Sequence, residues 1–313
     1  MRVCVLDIGG THLRFALSQN GKDFLCDPQK MKISQFESIE HVLVHAVRQA
    51  GWDPLSVTDI GIAKSDGNPW MIDLEKIHAI FPEAHIVKLN DFESNALGLV
   101  DIEIENLLYI AGNKTIPDKS SPRAVMGSGT GLGLAYISPN GDVQTTHGGH
   151  GLPALITAEQ IQLVADLQVF KTDGTCPIYE DVLSGDGILN VYKILCGRHH
   201  LECEYVDTYD MLSRGRNDPI VQHSLKYYHE VLGLFAHQVL QFGHAFGGLF
   251  LTGGITDKLI GYDLFDKDTF LTNLYQKNVP IVYCDVKSTP IFWVRNEFIS
   301  LDGMLKKLKK RNH

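Results

Sequence analysis

No apolar run in this chain of 313 residues approaches the roughly 20 needed to cross a bilayer as a helix. Its start has neither the basic residues nor the apolar core of a secretory leader, and Asp7 interrupts the first apolar stretch. A cytoplasmic protein without a membrane partner is the expectation. Cysteine is sparse and scattered: Cys4, Cys26, Cys176, Cys196, Cys203 and Cys284 form no Cys-x-x-Cys pair. That excludes a zinc knuckle or dithiol redox motif and predicts reduced thiols. Basic residues are outnumbered, 28 Lys and Arg against 37 Asp and Glu, for a net charge of −9. This balance argues against nucleic acid or an anionic membrane as partner and leaves room for a local basic cleft around a phosphate ligand. No glycine-rich turn continues into Gly-Lys-Ser/Thr, so a Walker-type phosphate loop is excluded as well.

What is present is an ordinary globular balance, 44% apolar and 21% charged residues, over a length that suits two domains. "VCVLDI" reads as a buried strand. "HLRFALSQ" reads as its antiparallel mate, Asn20-Gly21 as a hairpin turn and "KDFLCD" as a third strand. The capping-box spacing of "SQFE" at Ser34 to Glu37 predicts a helix running to about Gly51, with Phe36, Ile39, Leu43 and Val47 on one face. "VTDIGIA" and "HIVKL" follow as strands. A meander followed by alternating helix and strand predicts an α/β domain with a mixed sheet.

The second half repeats this opening. "RAVMGSGTGLGLAYISPNGDVQTTH" reads as strand, glycine-rich turn, strand, Asn-Gly turn and strand, which suggests two related domains. Helices are expected from about Ala158. The longest carries Val221, Leu225, Tyr228, Leu232, Phe235, Val239 and Phe242 on one stripe, for core packing or a subunit interface. "LFLTGGI" and "PIVYCDV" read as late strands and "EFISLDGMLKKLKK" as the closing helix, its basic "KKLKKRNH" end a solvated last turn.

Several stretches carry chemistry. Gly9-Gly10-Thr11 is either a turn that needs glycine or a cradle whose backbone N–H groups approach a polyphosphate. Four glycines in "GSGTGLG", Gly127 to Gly133, exceed what a turn requires and point to a second cradle. Gly253-Gly254 in "TGGI" offers flat backbone to an adenine. Asp7 could hold Mg²⁺ directly or through water. In "LNDFESNAL", Asp91 is either a helix N-cap or an acid at a strand's carboxyl end, where it could take a proton from an attacking alcohol. His147 and His150 flank a glycine pair and lack further close metal ligands, so polar contact to a neutral ligand is the better reading. Glu180 precedes a Ser-Gly-x-Gly break, and His199-His200 read as surface residues.

In order, "DIGGTHLRFAL", "LNDFESNA", "GSGTGLGLA", "GGH", "EDVLSGDGILNVY" and "LFLTGGI" resemble the bacterial ATP-dependent glucokinase family of the actin-like sugar kinase superfold, over nearly the whole chain. The Cys-rich zinc motif usual in the related repressor-type sugar kinases is absent. The resemblance implies two actin-like (ribonuclease H-like) α/β domains with mixed sheets flanked by helices. They would comprise residues 1–108 plus 295–313, and 109–294, with ATP and sugar in the cleft between them. Asp91 would be the base that deprotonates the sugar 6-hydroxyl. Asn90, His150 and Glu180 would bind the sugar. Gly9, Gly10, Thr11, Gly129, Thr130 and Gly131 would bind ATP phosphates, Gly253 and Gly254 would lie near the adenosine, and Asp7 near Mg²⁺. A homodimer is implied as well.

One departure stands out. The family's Gly-Glu-Gly-Gly-His reads Thr146-His147-Gly148-Gly149-His150 here. A carboxylate accepts hydroxyl bonds with full charge, whereas a neutral imidazole accepts one. "IAKSDGNPWMIDLEKI" also departs from the family's pattern near the sugar. Kinases for another hexose or an amino sugar, and a catalytically weak sugar-binding regulatory protein, therefore stand as rivals to a glucokinase.

Overall fold

The computed structural model describes residues 1–65, 67–113, 115–277 and 279–310. The chain divides into two compact units. The first comprises Met1–Asn106, Asn140–Thr145 and Arg295–His313, and the second Leu107–Pro139 and Thr146–Val294.

The first unit contains β1 (Val3–Ile8), β2 (His12–Ser18), β3 (Gln29–Lys32), α1 (Ile39–Gln49), β4 (Asp59–Lys64), α2 (Leu74–Ile80), β5 (His85–Asn90) and α3 (Asp91–Leu99). Its sheet runs β3-β2-β1-β4-β5. β2 lies antiparallel to β1 and β3, whereas β1, β4 and β5 are parallel. Every residue of β1 is buried, as an apolar strand at the centre of a sheet covered on both faces requires. On one face α1 lays down Ile39, Val42, Leu43, Ala46 and Val47.

The second unit holds β6 (Leu107–Ala111), β7 (Arg123–Ser128) and β8 (Leu132–Ile137); β9 (Val143–Thr146) follows after a turn, its first three residues counted with the first unit. Next come α4 (Ala158–Asp166), α5 (Gly185–Arg198), α6 (Thr208–Arg214), α7 (Pro219–Phe242), β10 (Gly248–Thr252), α8 (Gly254–Gly261), α9 (Lys267–Leu274), α10 (Pro280–Ser288) and β11 (Ile291–Val294). Strands β6, β11, β10, β7 and β8 lie side by side in that order. β7, β10 and β11 are parallel, and β8 and β6 run against them. The run β8-β7-β10-β11 thus repeats the topology of β2-β1-β4-β5. This is the mixed-sheet α/β architecture expected from the sequence. The chain closes with α11 (Ile299–Lys310), which packs on α3 in the first unit. Arg311, Asn312 and His313 of the basic tail lie outside the described residues. Among the described residues no helix is long and apolar enough to cross a membrane.

Four local expectations are corrected. "KDFLCD" is a loop, and β3 begins later, at Gln29. The Asn20 side chain accepts the N–H groups of Lys22 and Asp23 (2.8 and 2.9 Å), closing an Asx loop instead of a two-residue hairpin. The helix expected from Ser34 starts at Ile39, capped by Ser38, whose hydroxyl accepts from His41 N (3.3 Å). Phe36 is extended and ends a short 3₁₀ turn. "PIVYCDV" is the helix α10, with Pro280 at its first position, where a missing N–H costs nothing. The inner-sheet place goes to "IFWV", which, unlike "VYCDV", asks no carboxylate to enter the core. On α7, all of the expected stripe is buried except Phe242, 81% exposed at the helix end.

Candidate active site

In the first unit the parallel pairing sets Ile8, Lys64 and Asn90 in one row at the carboxyl ends of β1, β4 and β5. Loops leave β1 and β4 here and α3 starts directly after β5, the usual place for ligand sites in α/β sheets. Gly9 and the exposed Gly10 and Thr11 form the turn after β1. Gly9 N donates to His12 O (3.0 Å) and Ser65 N to Ile8 O (3.0 Å). The buried Asn68 donates from Nδ2 to Gly9 O (2.7 Å) and accepts Trp70 N–H on Oδ1 (2.9 Å). Lys64 Nζ donates to the carbonyls of Ser65 and Asn68 (3.0 and 2.7 Å). The segment after β4 is therefore braced by Lys64 and tied to the glycine turn by Asn68. Sequence reasoning marked this segment only as unusual.

Asp7 is buried one residue before the end of β1, 3.5 Å from the Arg14 guanidinium. Burial pushes its carboxyl above the ordinary range, while Arg14 and a hydrogen bond from Ser300 pull it back. Asn90 caps α3 by accepting Phe92 N–H (2.8 Å). Asp91 is the first helical residue and accepts the same N–H on Oδ1 (2.9 Å). The cap role weighed for Asp91 thus falls to its neighbour.

The second unit gathers the remaining candidates. Gly129 N donates to Gly131 O (2.8 Å), which folds the turn after β7 into a tight Gly-Thr-Gly loop with Thr130 exposed. Gly185 N, at the start of α5, donates to Gly129 O (2.9 Å). Gly253 has φ +99°, and a Cβ there would stand 2.5 Å from Ser128 O. A Cβ on Gly129 would come within 3.9 Å of Gly254 N. Three turns, at Gly129–Gly131, Ser184–Gly185 and Gly253–Gly254, therefore converge, and at Gly253 only glycine lets the backbones come so close. The Ser184–Gly185 contribution was not foreseen, although its Ser-Gly-x-Gly break was visible.

Glu180 sits beside that loop. Its Oε2 accepts Leu132 N–H (2.8 Å), and a Cβ on Gly131 would meet the same oxygen at 2.6 Å. His150 Nε2 lies 3.9 Å from Glu180 Oε2, with both side chains partly exposed. The His147 ring stacks on His150, centroids 5.6 Å apart and planes 16° from parallel. The unit thus brings His147, His150 and Glu180 together on the flank of the glycine loop, a set of partly wet groups suited to hydroxyl contacts. Among the described residues no three His, Cys, Asp or Glu form a metal cluster. Magnesium needs none where phosphate oxygens and water complete its shell, so Asp7 fits it as a single carboxylate, with Arg14 competing for one oxygen.

The family model named Glucokinase matches residues 4–310. A glucokinase-like protein of Xylella fastidiosa is 28% identical over 271 residues, 81% of this chain and 79% of that one. Among solved structures, glucokinase from Balamuthia mandrillaris in complex with glucose superposes with a TM-score of 0.77 at 18% identity, covering 97% of this chain and 92% of that one. A ROK family glucokinase from Streptomyces griseus in complex with glucose and AMPPNP gives 0.65 at 15% identity, over 99% and 100%. At such identities these two likenesses speak to the fold alone.

Proposed function

Because the chain belongs to the glucokinase family, we propose that this sugar kinase transfers the γ-phosphoryl group of ATP to the 6-hydroxyl of a hexose, with glucose as the first candidate. The observation that carries the reading is the place of Asp91, directly after β5 and in the row of strand ends that also bears the Gly9-Gly10-Thr11 turn. There the carboxylate takes the hydroxyl proton as the sugar oxygen attacks phosphorus and the bond to the β-phosphate oxygen breaks, releasing ADP. Asn90 and the set His147, His150 and Glu180 hold other sugar hydroxyls. The backbone donors of Gly9 to Thr11 and Gly129 to Gly131 carry phosphate charge, and Gly253-Gly254 lies against the adenosine. Asp7 would hold Mg²⁺, which when bound neutralises phosphate charge. A cytoplasmic homodimer belongs to the same reading.

A second reading keeps the chemistry and changes the sugar. It rests on His147, stacked on His150 where the family's pattern has a glutamate. One charge-assisted contact fewer costs roughly 1.5–3 kcal/mol. A sugar panel with coupled ADP detection, run on wild type and His147→Glu, decides between them. Glucose preference in the wild type supports the first reading. A sharp gain in glucose use by the variant supports the second. Sugar binding without ADP formation in either protein sinks both and leaves a regulatory binding protein.

A further inference from the structure

The loop after α5 folds back along that helix and brings the exposed Cys203 to the buried Cys196. Cys196 lies in the last turn of α5 and is 2% exposed. The chain reverses at His200, a non-glycine residue at φ +55°. His200 N donates to Gly197 O (3.2 Å) and Leu201 N to Cys196 O (2.9 Å), the pair of bonds that turns a chain back at a helix end. One helical turn earlier, Glu204 N donates to Tyr192 Oη (3.1 Å), and the Tyr205 and Tyr192 rings pack with centroids 5.5 Å apart. Thr208 Oγ1 ties the loop's far end to Gly185 O (2.6 Å). Cys203 thus sits between an anchor on Cys196 and an anchor on Tyr192, and residues four apart on a helix share one face.

The two thiols interact directly. Burial pushes Cys196 up, the Tyr192 phenol opposes this, and the charge of the Cys203 sulfur and a hydrogen bond to it push the same way as burial. Cys196 therefore keeps its proton at neutral pH. Cys203 is the sulfur that a dissolved oxidant meets first, with a sheltered second thiol already beside it. One accessible thiol next to a second that can resolve it is the arrangement that makes cysteine oxidation reversible.

We propose that Cys203 and Cys196 are a peroxide-sensitive pair that closes reversibly to a disulfide across the end of α5. Cys203, as thiolate, attacks one oxygen of hydrogen peroxide. The O–O bond breaks, and the departing hydroxide takes up the proton that Cys203 released and leaves as water. Cys196 Sγ then attacks the Cys203 sulfenic acid. The S–S bond forms, the S–O bond breaks, and a second water leaves with the Cys196 proton. Two thiols give up two electrons, and one peroxide is reduced to two waters.

The test treats folded protein with a stoichiometric amount of hydrogen peroxide, caps the remaining thiols in denaturant and digests with trypsin for mass spectrometry. Trypsin cuts after Lys193, Arg198 and Arg214, so an internal bond joins peptides 194–198 and 199–214 and lightens the pair by two hydrogens. Wild type should yield the joined peptides, dithiothreitol should separate them, and Cys203→Ser, a change at an exposed position, should yield none. At about 10 µM protein the millimolar effective concentration of a neighbouring thiol should favour the internal bond over bonds between copies by about 100-fold, so the yield should hold on tenfold dilution. Equilibration with glutathione separates a bond favoured by the fold from one that any two cysteines this near in sequence would make. Half-reduction of the folded protein should need a [GSH]²/[GSSG] ratio about tenfold higher than half-reduction of the urea-denatured protein. Equal ratios in the two states overturn the proposal. So do a yield that falls on dilution, Cys203 joined to a different cysteine, or Cys203 carried to the sulfinic acid with no joined peptides.

Discussion

The turns after β1 and after β7 begin from nearly the same sequence, Gly-Gly-Thr and Gly-Thr-Gly, and are held in different ways. The first stands open: Gly10 and Thr11 are exposed, and a Cβ on Gly9 would meet only His12 O, at 3.2 Å. It is held from outside by Asn68, a residue 59 positions away. The second is held by crowding, since Gly131 abuts the Glu180 carboxylate and Gly253 abuts the Ser128 carbonyl. One motif therefore has two kinds of rigidity, a side-chain tether and glycine packing. The tether leaves Gly10 and Thr11 exposed, whereas packing fixes the backbone of the second turn.

The largest effect expected from breaking this division of labour is chemical. Asp91→Asn keeps the size of the side chain and removes the proton acceptor, so kcat should fall by roughly 10²–10⁴. Affinity for AMPPNP should stay within about twofold, because the variant leaves the packed turn of the second unit alone. Steady-state kinetics with calorimetry reads both numbers. A kcat within tenfold of wild type would remove Asp91 from the role of base.

Next comes the packed turn itself. Gly253→Ala forces a Cβ onto a residue at φ +99° and against the Ser128 backbone. Strain and overpacking together should cost about 4 kcal/mol in denaturant unfolding. A Cβ added to its neighbour Gly254 would meet nothing within 4 Å, so Gly254→Ala should shift stability by no more than about 0.5 kcal/mol. Equal losses at the two positions would show that crowding is not what holds this turn.

The two modes of support also explain what could be read beforehand. Strands β1 and β7 were legible because each is a mostly apolar run leading into a glycine-rich turn, and Asp91 was legible as the acid that follows "HIVKLN". Local signals failed where two codes overlapped. Ser34 and Ser38 both offer a cap, and the extended Phe36 decides for Ser38. "PIVYCDV" has strand composition, yet only Val286 of α10 is buried, so tertiary position overrode propensity. The contacts of Asn68 with Gly9 and of Gly185 with Gly129 span 59 and 56 residues of chain. No local pattern announces such a pairing, because nothing in either short segment depends on the other until the sheet has formed.

A loss smaller than that at Gly253 tests the tether. Asn68→Ala removes the donor to Gly9 O and the acceptor for Trp70 N–H, which should cost about 2 kcal/mol in global stability. Stability alone would not separate a local tether from ordinary packing, so the informative readout is amide exchange. Gly9 N–H is bonded to His12 O within the open turn, and Gly129 N–H to Gly131 O within the packed one. If Asn68 alone holds the first turn, Gly9 exchange should speed up by about tenfold or more in the variant, while Gly129 exchange changes only as far as global stability does. Equal acceleration at both amides would mean that the first turn is as self-supporting as the second. The contrast between tether and packing would then have to be abandoned.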